Sequence, residues 1–246
     1  MAKKNRKKKD NNKSNKTKKI VINGLKYVGE IKNGKPHGLG TIFYPNGNIL
    51  YEGGFKYGEY IGHGTSFDED GNRTYEGEFQ DGKGDGHGTT FYQSGNKRFE
   101  GEYKDGKTNG RGISFNENGN KIFEGEYKDG KANGHGIIFD ENGNIQYEGE
   151  FRNNKYNGQG TFHYKDGSYF KGIFIEDKLV NGIIFCKNGD SYKGEFKDGK
   201  FHGQGIYTLR SRRSYEGEFV HGHRYGIHKK TSRGGKVSFQ EYLFLD

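Results

Sequence analysis

Every 22 to 24 residues the chain repeats one pattern: an aromatic ring, any residue, Gly, in most copies Glu, then a second aromatic or Ile. Its cleanest copy is Tyr75-Glu76-Gly77-Glu78-Phe79. Copies begin at Tyr27, Tyr51, Tyr75, Phe99, Phe123, Tyr147, Phe170, Tyr192 and Tyr215, spaced by 24 residues five times and then by 23, 22 and 23. So constant a period is the signature of a repeat architecture. One unit is too short to bury a core alone, so the units must stack into an array.

The core of that array has to be aromatic. Apolar residues are only 28% of the chain, against about 45–50% in ordinary domains. Disordered chains are poor in aromatics, whereas this one has 18 Tyr and 19 Phe. The expected core is a thin file of rings: Tyr27, Tyr51, Phe55, Tyr75, Phe79, Phe99, Tyr103, Phe123, Tyr127, Tyr147, Phe151, Phe170, Phe174, Tyr192, Phe196, Tyr215 and Phe219. The 44 glycines fall at fixed repeat positions, unlike those of a flexible linker.

Within a unit, alternation in a strand puts Tyr75, Gly77 and Phe79 on one face and Glu76 and Glu78 on the other. The Gly between two rings leaves room for a neighbouring aromatic to lie across the backbone. Asp81-Gly82-Lys83 has turn chemistry. Gly86-His87-Gly88 then opens a second strand, Thr89–Tyr92, and Ser94-Gly95-Asn96 turns into the next unit. Two short strands joined by Gly-rich turns make a hairpin. Helix is disfavoured, because Gly recurs every few residues and no sustained apolar stripe of helical spacing occurs.

The run Tyr-Glu-Gly-Glu-Phe-x-Asp-Gly-Lys-x-x-Gly-x-Gly closely resembles the MORN repeat (membrane occupation and recognition nexus). The likeness covers roughly residues 25–236. It implies an all-β fold: an elongated, twisted antiparallel sheet of about nine stacked β-hairpins forming a groove lined by aromatics and glycines. Several copies depart from the pattern. Gly54 and Ile173 replace the usual Glu, and Asn154 and Asp177 replace the loop Gly. The seventh unit has Leu179-Val180-Asn181-Gly182, one residue short, and His228 replaces the last Gly of the ninth. A local irregularity near Lys178 and a change at the C-terminal end are expected.

Three segments follow: a disordered basic arm at 1–19, the repeat array at 20–236, and a C-terminal segment at 237–246. The arm holds ten Lys/Arg against Asp10, leaving 31 basic and 31 acidic residues elsewhere, so the net charge of +9 belongs to the arm. Lys7, Lys8 and Lys9 are its candidate contacts for anionic lipid or nucleic acid, both salt-sensitive. It could equally be a nuclear address or a solubilising tail. A second basic cluster contains Arg212 and Arg213. The segment after Val237 is the most apolar in the chain. Tyr242, Leu243 and Phe244 read as a capping strand, or as a homodimer contact, which the resemblance supports because some MORN arrays pair through their C-terminal ends.

No residue earns a catalytic, metal or cofactor assignment. Gly101 to Thr108 spells a phosphate-binding loop, but the match lies in the repeat frame and no helix follows to hold phosphate. Asp68 to Asn72, Asn116 to Asn120 and Asp140 to Asn144 lack the length and terminal Glu of a calcium loop. His63, His87 and His135 share their slot with Leu39, Arg111, Gln159 and Gln204, so the slot is exposed and variable rather than ligating. His221, His223 and His228 have no Cys or carboxylate at ligand spacing. Cys186, the single cysteine, forms no internal disulfide and reads as a packing residue.

The sequence therefore points to a non-catalytic scaffold that binds another protein or itself. The alternative is peripheral binding to phosphoinositide or phosphatidic lipid through the basic ends, and the weaker one a nucleic-acid-associated structural protein. With no signal peptide and no apolar run long enough to span a bilayer, an intracellular place is expected, cytoplasmic rather than nuclear.

Overall fold

The computed structural model describes residues 17–243. The described residues form twenty β-strands and no helix. Lys7, Lys8, Lys9 and Phe244 lie outside them. The chain divides at Gly86/His87 into two compact units.

In the first unit, Lys18–Ile22 pairs antiparallel with Leu25–Lys32, and each later strand pairs with the next as far as Arg73–Gln80. In the second unit the same order runs from Lys97–Lys104 to Val237–Tyr242. Strand Lys83–Phe91 contains the division.

Each repeat is a hairpin closed by a two-residue turn in which both residues take positive φ, such as Asp105 at 50° and Gly106 at 79°. This is the twist-matched turn that tight hairpins favour. The second strand starts directly after it, so it begins at Lys83 and Lys107, earlier than the paired glycines suggest. Asn154 (φ 69°) and Asp177 (φ 68°) occupy the second turn position, where short polar side chains tolerate the left-handed region best after Gly. Their carboxamide and carboxylate oxygens also accept the Ala132 and Tyr156 amides of the preceding repeat, at 2.7 and 2.8 Å.

The rings form the file, and in repeats one, two and four to eight the first ring lies on its own repeat's facing glycines. A Cβ added to Gly160 would stand 2.3 Å from the Tyr147 hydroxyl, and one on Gly149 2.6 Å from it. The ring across the facing glycines is thus the repeat's own first aromatic rather than a neighbour's. Edge-to-face contacts then link repeats: Phe123–Phe151 at 5.1 Å, Tyr147–Phe174 at 5.4 Å, Phe170–Phe196 at 5.3 Å and Tyr192–Phe219 at 4.9 Å. In the first unit, Tyr27–Phe55 and Tyr51–Phe79 do the same at 5.2 and 5.1 Å. Such pairs add roughly 0.5–1.5 kcal/mol each beyond area burial. All the expected core rings are buried except Tyr127, which is half-buried. Its hydroxyl reaches Ser114 at 2.7 Å.

The ninth repeat is rearranged. His228, fully buried, takes the seat a tyrosine ring holds elsewhere, its ring atoms 2.8–2.9 Å from where a Gly217 Cβ would stand. Its Nε2 donates to the Glu218 carbonyl at 2.7 Å, the contact that Tyr147 and Tyr192 make through their hydroxyls to Glu150 and Glu195. His228 continues the file from Phe219 to Tyr242, at 5.1 and 5.3 Å. Tyr215 stays buried but stands beside the file, under the Arg224 guanidinium at 4.3 Å.

Candidate protein-interaction surfaces

All twenty described strands belong to the sheet, so function has to be sought on its faces and at its ends. On the ring face, repeats two, six and eight carry an outer ring over the file. Tyr60, Tyr156 and Phe201 stack on Tyr51, Tyr147 and Tyr192 at 3.8, 3.9 and 3.9 Å. Elsewhere the same position holds a smaller or polar residue, as at Pro36, Thr108, Ala132 and Arg224, and in repeat seven Leu179 stands there, between the Tyr156 and Phe201 of its neighbours. The gap is an apolar groove of about 380 Å³, walled by Tyr156, Phe162, Tyr164, Ile184 and Phe201, with Asp177, Lys178 and Asp198 at its rim.

Burial acts on the phenols of the ring face. Desolvation pushes Tyr51 and Tyr192 up to about 12 and raises Tyr147 strongly. Tyr207 is also pushed up to about 12, by desolvation and then by Asp190, which accepts its hydroxyl at 2.9 Å.

The opposite face carries the Glu of the motif, and its role is local. In repeats four, six and eight a carboxylate oxygen accepts the backbone amide nine residues on: Glu102 from Arg111 (3.1 Å), Glu150 from Gln159 (3.0 Å) and Glu195 from Gln204 (3.3 Å). That amide follows a positive-φ Gly in a bulge of the second strand. The variable slot of Leu39, His63, His87, Arg111, His135, Gln159 and Gln204 is this bulge residue, and its side chain is exposed. Between the two rows of side chains lies an open trough of about 470 Å³ in repeats four to six, lined by Glu100, Arg111, Ile113, Glu124, His135 and Glu148.

The acidic loops are turns. The Asp68 carboxylate accepts the Asp70 and Asn72 amides at 3.1 and 2.8 Å, and Asp140 does the same for Asn142 and Asn144, at 2.9 Å each. The Asn72 carboxamide, donating to Asp68 at 3.1 Å, and then the amides hold Asp68 below the usual range, while for Asp140 the Asn144 amide leads. Among the described residues no group of three or more His, Cys, Asp or Glu is placed to hold a metal. The Gly101–Thr108 stretch is a strand, a two-residue turn and a strand. Cys186 is half-buried, and burial raises its thiol.

At the C-terminal end, Val237–Tyr242 pairs, among the described residues, on one side only, with His223–Thr231. Phe239 and Leu243 are each 70% exposed, while Tyr242 is tied in, its hydroxyl accepting from Arg224 at 2.8 Å. Arg212 takes the connection position that Gly holds between the other repeats, at φ 65°, and Arg212 and Arg213 are exposed on that loop. Of the expected interaction residues, Arg212, Arg213, Tyr242 and Leu243 thus lie at one end of the second unit without forming a single cluster. No described helix is long and apolar enough to cross a membrane.

The MORN repeat family profile matches residues 27–49, 51–73, 75–97, 99–121, 123–145, 147–169 and 192–211. It passes over the units beginning at Phe170 and Tyr215, the shortened one and the one with His228. The solved structures similar to this chain include two domains bound to peptides. One is the SAS-4 (dCPAP) TCP domain of Drosophila melanogaster in complex with a proline-rich motif of Ana2 (dSTIL), 12% identical, covering 92% of this chain and 90% of that one, with a TM-score of 0.23. The other is the TCP10 domain of Danio rerio CPAP in complex with a STIL peptide, 9% identical, covering 92% and 100%, with a TM-score of 0.25. No curated protein matches the sequence.

Proposed function

The chain belongs to the MORN repeat family, and from that premise we propose that it is a non-catalytic scaffold that binds another protein through its ring face. One observation carries the reading: Leu179, flanked by the outer rings Tyr156 and Phe201, leaves an apolar groove floored by buried rings of the file. Concave apolar sites with a few polar groups at the rim are where ligands dock. Two carboxylates against one ammonium at the rim favour a protein segment that presents an apolar side chain next to Lys or Arg.

The test is a peptide-display selection on the full chain at about 0.5 M salt, where surface attraction is screened. Apolar–basic segments should be enriched, and Leu179→Trp, which closes the gap as Tyr156 and Phe201 do in their repeats, should abolish their binding. Enrichment that is indifferent to Leu179→Trp would overturn the groove. If the chain instead captures only phosphatidic acid vesicles or duplex DNA, and only with residues 1–19 present, the lipid or nucleic-acid reading replaces it.

A further inference from the structure

The face opposite the rings carries a charge pattern along the repeats. Across neighbouring strands, Glu124, Ile137, Glu148, Thr161, Lys171, Ile183 and Lys193 face one another in unbroken succession. The Glu and Lys side chains are exposed, and the Ile side chains are half-buried between them. Thr161 sits at the centre of this row. Glu, Ile and Glu lead away from it in one direction as Lys, Ile and Lys do in the other. Reversing the row about Thr161 puts every Glu on a Lys and every Ile on an Ile.

The pattern extends further. One strand beyond each end stand Ile113 and Ile206, facing Glu124 and Lys193 respectively. They too exchange places on reversal. Further along the strands, Phe139 and Phe185 close their strands on the same face, each two strands from the strand of Thr161. Among the described residues Glu148, Lys171 and Lys193 make no ion pair, and Glu124 has only an exposed one with Lys121, at 2.7 Å.

We propose that two copies of the chain pack these faces together about a twofold axis along the strand at Thr161, with Glu148 against Lys171, Glu124 against Lys193 and Ile137 against Ile183 of the second copy. A twofold interface needs one self-complementary patch, and this row is self-complementary in charge and in apolar character. In the flanking column reversal sets Glu126 on Glu195, so nine strands at ~4.8 Å and the other two side-chain columns make a patch of about 40 by 14 Å, the size of a weak, transient interface. The surface is separate from the groove at Leu179, so the two readings fail independently.

Full-length chains with charges exchanged test it by light scattering at low salt, with circular dichroism to show the sheet intact. The native chain should dimerise. The pair Glu124→Lys with Glu148→Lys, and the pair Lys171→Glu with Lys193→Glu, should each weaken self-association at least about tenfold, as like charges come to face each other. Mixing the two variants should restore a dimer, because each then meets its complement. A monomeric native chain, variants that dimerise as the native chain does, or a mixture that stays monomeric would overturn the proposal. So would a dimer lost only on deleting residues 237–246, which would assign pairing to the open strand there.

Discussion

Repeats six and seven differ in length by one residue, and the comparison separates what holds the array from what decorates it. Repeat six keeps the full bulge: between Gly149↔Gly160 and Phe151↔Tyr156 the second strand carries two extra residues, with Gly158 at φ 110° and Glu150 on the following amide. Repeat seven passes from Ile173↔Asn181 to Phe174↔Leu179, with one extra residue and no Gly at the equivalent of Gly158. The Glu that would cap the bulge amide is Ile173, 38% exposed. The shortening falls in the bulge, while the turn beside Lys178 keeps the same two positive-φ residues as its neighbours. The ring file passes through unchanged, with Tyr147–Phe174 and Phe170–Phe174 both at 5.4 Å. The rings and their facing glycines are one device, and the Glu, the positive-φ Gly and the variable slot are another that can be removed as a set.

The strongest way to break that distinction is to truncate a ring in each repeat. Tyr147→Ala and Phe170→Ala should each cost about 3–5 kcal/mol in denaturant unfolding, as large buried rings do. A loss in repeat seven of less than half that in repeat six would mean the shortened hairpin is not part of the same file. A Cβ at Gly160 or Gly172 meets backbone or ring atoms at 2.2–2.7 Å, so Gly→Ala at either should cost about 1–3 kcal/mol through overpacking.

Alkali should discriminate next, because repeat six holds a phenol in the file and repeat seven a phenyl. Burial raises the Tyr147 hydroxyl above its ordinary value, so its neutral form is favoured by folding. That contribution is complete below about pH 10 and is lost as pH climbs through the raised value. Tyr147→Phe should therefore flatten the decline of stability above pH 10, while Phe170→Tyr should steepen it. Identical alkaline profiles for the native chain and Tyr147→Phe would exclude the phenol as a cause.

The smallest effect belongs to the bulge. Glu150→Ala removes the acceptor for Gln159 and should cost about 0.5–1.5 kcal/mol. Ile173→Glu should gain nothing measurable in thermal melts, because the bulge it would cap is missing. A stabilised Ile173→Glu would show that the Glu acts through something other than that amide.

Part of this was legible in the sequence and part was not. The rings, their period, the alternation of faces and the turn residues are local, and each follows from chain geometry. The Glu of the motif, by contrast, reads only as a structural repeat residue, because its partner is an amide across the hairpin. The seat of His228 was hidden in the same way: the missing Gly was visible, but the ring that fills the space had to come from the opposite strand. The charge reversal about Thr161 is likewise spread over residues 124 to 193, which meet only once the strands are paired.

By itself, the sequence determined that this protein is a stack of hairpins with an aromatic file, because a fixed period of rings and glycines admits no other core. Only the tertiary structure decided which ring covers which glycine, where the outer rings leave a groove and which charges share a row. Those relations depend on cross-strand register, and register is set by bulges whose presence or loss one residue controls.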